Sequence, residues 1–147
     1  MNEEYYDFEK TPDTHYYEFH SVGPNGTVRK VIQFQQINIK ENVYNLGFGD
    51  FDPATNEISD LTTTNNLDTK KVLSTVARAV IDFMNGHPHA IVMAKGSTPS
   101  RTRLYQMGIS EFWNEIQEIF EIKGYHKYTW ESFQKGKNYD AFFIFKK

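Results

Sequence analysis

The stretch HAIVMAKGSTPSRTRLYQ, residues 89–106, decides how the rest of the chain is read. His89 to Ala94 is a short apolar run, bounded by a proline before it and a glycine after it, and reads as a buried strand. Pro99 suits the first position of a helix, where its missing N–H costs nothing, and Thr98 before it is a natural N-cap. A strand therefore empties through Gly96 into a helix start. Such an end offers backbone N–H groups and hydroxyls to an anion. Lys95 precedes the turn, and Arg101 and Arg103 follow it. The candidate ligand-binding set is Gly96, Ser97, Thr98, Arg101, Arg103 and Tyr105, the last one turn beyond Arg101. The two arginines are two positions apart and point in different directions on a helix. The segment is not a Walker A loop, because the glycine spacing and the terminal Gly-Lys-Ser/Thr are absent. A capped helix with purely structural arginines is the competing reading.

Reading backwards from residue 89, Leu73, Val76, Val80 and Phe83 recur at helical spacing, with Val72 and Ala79 widening the face. Asp68 or Thr69 caps this helix and Asn85-Gly86 stops it. Reading forwards, Gly108 breaks the short helix. Ser110 then caps a second one through about Ile122, with Ile109, Phe112, Trp113, Ile116, Ile119 and Phe120 as its apolar stripe. Gly124 ends it. The tail reads as a hairpin: Tyr128 and Trp130 alternate on one strand, Lys135 to Asn138 turns, and Tyr139 to Phe145 is a dense apolar strand, central in the sheet or covered on both faces.

The first half is β-rich. Residues 1–15, acidic and aromatic, form a short strand or an irregular arm. Tyr16 to Ser21 and Val28 to Ile39 are strands joined by Gly23-Pro24-Asn25-Gly26, with a bulge expected near Gln35-Gln36. Val43 to Phe51 alternates, placing Tyr44, Leu46 and Phe48 on one face and Asn45, Gly47 and Gly49 on the other. Glycines on one side of a strand admit close approach of another backbone or a ligand. Asp50 to Asp60 is turn-rich with a short strand at 57–59, and Thr62 to Asn66 is a polar loop.

The expected fold is therefore α+β. One mixed, mainly antiparallel sheet of five to seven strands carries two main helices, in the order β-β-β-α-β-α-β-β, as a single domain over residues 1–147. The strand at 89–95, lying between helices, brings in a parallel pairing.

Composition narrows the function. With 147 residues, 16% aromatics and a net charge of −3, the chain is a globular domain without the basic field of a non-specific nucleic-acid binder. It has no cysteine, so thiol nucleophiles and thiolate metal sites are excluded. The first residues lack a secretory signal, no apolar run spans a membrane, and the cytoplasm is the expected location. Asp50 and Asp52 lie on one side of an extended chain and, with Asp60, form a carboxylate cluster for a cation, a general base or plain ion pairs. Neither a calcium loop nor a His-Glu-x-x-His motif occurs, so no metal or cofactor is expected among His15, His20, His87, His89 and His126. No serine sits in a nucleophile elbow.

Three stretches carry a resemblance: Tyr44-Asn45-Leu46-Gly47-Phe48-Gly49-Asp50, then Asn65-Asn66-x-Asp68 to Lys71-Val72-Leu73-x-Thr75-Val76, and Gly96-Ser97-Thr98-x-x-Arg101-Thr102-Arg103-Leu104-Tyr105. From about Tyr16 to Phe145 the chain resembles a family of small proteins of unknown function found in Bacteroidetes and related bacteria. The resemblance implies a bacterial, cytoplasmic origin and no chemistry. Three functions stay open. The first is a binding domain for a phosphate-bearing molecule, nucleotide or nucleic-acid end. The second is a hydrolase-like enzyme using Asp50 or Asp52 with Arg101 or Arg103. The third is a protein–protein interaction module, such as a homodimer.

Overall fold

Gly26, at φ 85°, turns the chain from β2 (Tyr16–Gly23) into β3 (Gly26–Asn38), in a backbone region that side chains disfavour. The computed structural model describes residues 3–13, 15–59 and 66–147. The remaining strands are β1 (Glu9–Lys10), β4 (Val43–Asp52), β5 (Glu57–Ile58), β6 (Ile91–Ala94), β7 (Phe120–His126), β8 (Thr129–Ser132) and β9 (Ala141–Lys146). The helices are α1 (Thr69–Gly86), α2 (Pro99–Glu111) and α3 (Trp113–Ile119). Eight strands make one sheet in the order β1-β2-β3-β4-β6-β9-β7-β8, and β5 pairs the far end of β4. The β4–β6 pairing is parallel and the others are antiparallel.

The expected five to seven strands are thus corrected to nine among the described residues, while the helix order roughly fits, one helix standing before β6 and two after it. The largest difference is β7. Phe120, Ile122 and Gly124 are buried while Glu121, Lys123 and Tyr125 are more exposed, so a two-residue period takes over where the helical stripe was extended. Gly124 lies inside this strand because the Tyr139 ring covers it; a Cβ there would stand 2.4 Å from Tyr139 Cδ1. The closing hairpin is accordingly β7–β8, and β9 lies between β7 and β6. Gly108 does not break α2, and the helix boundary falls at Phe112 instead. Thr62 to Asn65 and Asp60 lie outside the described residues.

One parity of the strands builds the core with the helices. Tyr17, Phe19, Ile32, Phe34, Leu46, Val92 and Phe142 are buried there together with Val76, Ala79, Phe83 and Met84 of α1. Phe83 stacks on Phe34 with ring centroids 4.1 Å apart. Burying each such large apolar side chain stabilises the fold by roughly 1.5–3 kcal/mol. The bulge falls between Gln36 and Asn38, beside the expected position. Asp68 is the N-cap residue of α1 without a side-chain cap bond; its carboxylate accepts instead from Tyr6 (2.5 Å) and Ser21 (2.6 Å). That pins the N-terminal arm across the helix start.

Candidate functional site: a cleft where the sheet forks

β4 serves two partners on one edge. β6 pairs with Val43–Asn45 and β5 with Phe51–Asp52, which leaves a gap in the ladder between them. Buried carbonyls in such a gap need donors, since leaving one unsatisfied costs about 1–3 kcal/mol. Helix α2 supplies them. Arg101 Nη1 donates to the Phe48 carbonyl (3.2 Å) and the Tyr105 hydroxyl to the Leu46 carbonyl (3.3 Å). Arg101 Nη2 donates to the Ser59 carbonyl just after β5. The planar fork of a guanidinium reaches two acceptors at once, which a lysine cannot match. Arg101 is 9% exposed. Burial pushes the Tyr105 hydroxyl up to about 12, with the Arg101 charge acting in the opposite sense.

The turn expected to hold an anion is built as a close-packed elbow. Thr98 is the N-cap: its Oγ1 accepts from the Arg101 amide (3.3 Å), and Pro99 opens the helix. Gly96 N–H donates to Thr102 Oγ1 (3.0 Å), and a Cβ on Gly96 would stand 2.4 Å from Arg101 Cβ. The elbow lies against the first turn of α2, so only glycine fits. With the Arg101 amide taken by the cap and Pro99 lacking one, the helix end has less to offer an anion than the bare motif promises.

Lys95, Gly96 and Ser97 instead form a ridge between two clefts. One, of about 650 Å³, opens on the sheet face away from the helices and reaches through the fork to Arg101 and Tyr105. Its floor and walls include Gln33, Gln35, Asn45 and Gly47. The other, about 340 Å³, holds Thr98, Arg103, Asn138 and Asp140. The six expected ligand-binding residues are therefore divided, with Arg101 and Tyr105 on one side of the ridge and Thr98 and Arg103 on the other.

The expected catalytic pair lines neither cleft. Asp50 is buried on the helix-facing side, where Lys30 Nζ donates to its Oδ1 at 2.5 Å. Asp52 caps the β4–β5 turn, its Oδ1 accepting from the Ala54 amide at 2.9 Å. The carboxylate on the larger cleft is Glu57. No group of three metal-ligating side chains occurs among the described residues. Sequence reasoning passed over Gln33 and Gln35. Their signal was two amides, two positions apart, on a strand whose neighbours Ile32 and Phe34 are core.

Fold and site together define a small α+β domain with a forked sheet and a polar cleft on its open face. The chain belongs to DUF6934, a family of unknown function, whose sequence pattern matches residues 2–147. No curated protein and no solved structure matches the chain. No helix among the described residues is long and apolar enough to cross a membrane.

Proposed function

We propose that this domain, bacterial and cytoplasmic in setting, binds a phosphate-bearing small molecule in the larger cleft. The observation that carries the reading is the ridge Lys95-Gly96-Ser97, which walls a cleft of about 650 Å³ within the usual size of small-molecule sites. Lys95 is exposed there and makes no ion pair with another described residue, so its charge is available to an anion. Ser97 adds a hydroxyl donor, and Arg101 adds positive potential from beneath. Arg103 attracts an anion from the neighbouring cleft across the ridge.

Isothermal titration with inorganic phosphate, ribose 5-phosphate and nucleotides tests this. Lys95→Ala should weaken binding about tenfold without changing the melting curve. Absence of binding by every phosphate compound, or equal binding by native and Lys95→Ala protein, removes the proposal. An interaction module is a second reading, supported by Tyr128 (94% exposed) and Trp130 (39% exposed) on the β7–β8 hairpin. A monomer at all concentrations in sedimentation would count against the homodimeric form of that reading.

A further inference from the structure

We infer that the ligand is a nucleoside phosphate whose base lies over Gly47 and is read by Gln33, Gln35 and Asn45. This rests on the proposed phosphate-binding reading and deepens it. In the β3–β4 register Gln35 stands opposite Asn45 and Gln33 opposite Gly47, so the four positions form a square on the open face. With strands about 4.8 Å apart and a rise of about 3.4 Å per residue, the square measures roughly 5 by 7 Å. That is the footprint of a heterocyclic ring, and the Gly47 corner carries no side chain of its own, with Ile58 Cδ1 bordering it 3.5 Å from where a Cβ would stand.

The three amides at the other corners bond to no other described residue. An amide offers both donors and an acceptor and carries no charge. A base edge presents the same mixture, and side-chain amides meet it with paired hydrogen bonds. Phosphate, by contrast, needs donors alone, so this corner of the cleft is not built for the anionic end. The remaining surroundings suit a flat ring. Tyr16, Phe51 and Met93 line the same cleft, and Met93 is the register partner of Asn45 on the adjacent strand β6. A polarisable thioether and aromatic rings both pack well on a π-face. Lys95 follows Met93 by two residues, which sets the cationic ridge next to the amide square, as a base joined to a phosphate through one sugar requires.

The full chain is titrated calorimetrically with the four common nucleoside 5′-monophosphates and with ribose 5-phosphate, using native, Asn45→Ala and Gly47→Val proteins checked by thermal melting. At least one nucleotide should bind the native protein about tenfold more tightly than ribose 5-phosphate. Asn45→Ala should erase most of that preference and leave ribose 5-phosphate unchanged. Gly47→Val, filling the bare corner, should do the same by steric exclusion. Equal affinity for ribose 5-phosphate and all four nucleotides overturns base recognition while leaving phosphate binding standing. So does an equal loss for both ligand types in the two variants. No binding of any phosphate compound overturns the underlying reading and this inference with it.

Discussion

The guanidinium of Arg101 lies 3.1 Å from where a Cβ on Gly49 would stand, and Ile58 Cγ2 lies 2.7 Å from the same point. Helix α2 and strand β5 therefore meet over one missing side chain. Gly49→Ala should destabilise the protein by about 1–3 kcal/mol, the usual penalty of overpacking. Gly47→Ala, whose nearest contact is Ile58 Cδ1 at an ordinary 3.5 Å, should change stability little. Urea unfolding of the two variants side by side checks the contrast, and equal effects would contradict it.

Replacing Arg101 tests the fork itself. Arg101→Lys keeps the charge but reaches one acceptor where the guanidinium reaches Phe48 and Ser59. It should cost about 1–3 kcal/mol, and Tyr105→Phe, which orphans the Leu46 carbonyl, about 1 kcal/mol. Because both groups meet the same strand edge, the double variant should depart from the sum of the singles in a denaturation cycle.

Gly108 offers a gain. It sits within α2 facing Leu73, and a Cβ there would find Leu73 Cδ2 at 3.6 Å, an ordinary contact beside an apolar void of about 60 Å³. Gly108→Ala should stabilise the fold by roughly 1 kcal/mol through helix propensity. A raised urea midpoint at unchanged slope is the expected result.

The β7–β8 turn stores strain. Lys127 (φ 49°) and Tyr128 (φ 66°) both hold left-handed backbone between His126 and Thr129, where Asn-Gly is the preferred pair. Changing Lys127→Asn together with Tyr128→Gly should stabilise by about 1–2 kcal/mol. If Tyr128 is a partner anchor, the same change abolishes self-association in sedimentation.

Acid sensitivity traces in part to Asp82. Burial alone would raise its carboxyl. Hydrogen bonds from Lys10 and Tyr17, with the Lys10 charge, outweigh that and hold it below its ordinary 3.8. A depressed folded pKa adds stability above the unfolded value that disappears as pH falls through the folded one. Native protein should therefore lose stability from about pH 4 downward more steeply than Asp82→Asn, measured by melting temperature against pH.

How far the chain could be read by eye depended on whether neighbours in space were also neighbours in sequence. The bulge near Gln36, the cap at Thr98 and the stop at Gly86 are local, and each was legible. So was β9 as an inner strand, because four consecutive apolar residues need cover on both faces. β7 was not, because Ile119-Phe120 continues a helical stripe until the Glu121–Tyr125 alternation is weighed against it. The role of Arg101 was also hidden. Its partners, the carbonyls of Phe48 and Ser59, are backbone atoms, and no residue type advertises a gap in a ladder. The amide square had a visible half in Gln33 and Gln35, but its other half depended on the β3–β4 register.

The opening on the sheet face is framed by the β4 main chain and braced from behind by helix α2, while side chains such as Tyr16, Met93 and Lys95 complete its walls. Substitution at Gln33, Gln35 or Asn45 changes the lining of the cleft and leaves the main-chain frame in place. Substitution at Gly49, Gly96 or Arg101 warps the frame itself. Frame and lining are thus separable, so side chains of the lining can be exchanged while the architecture stands still.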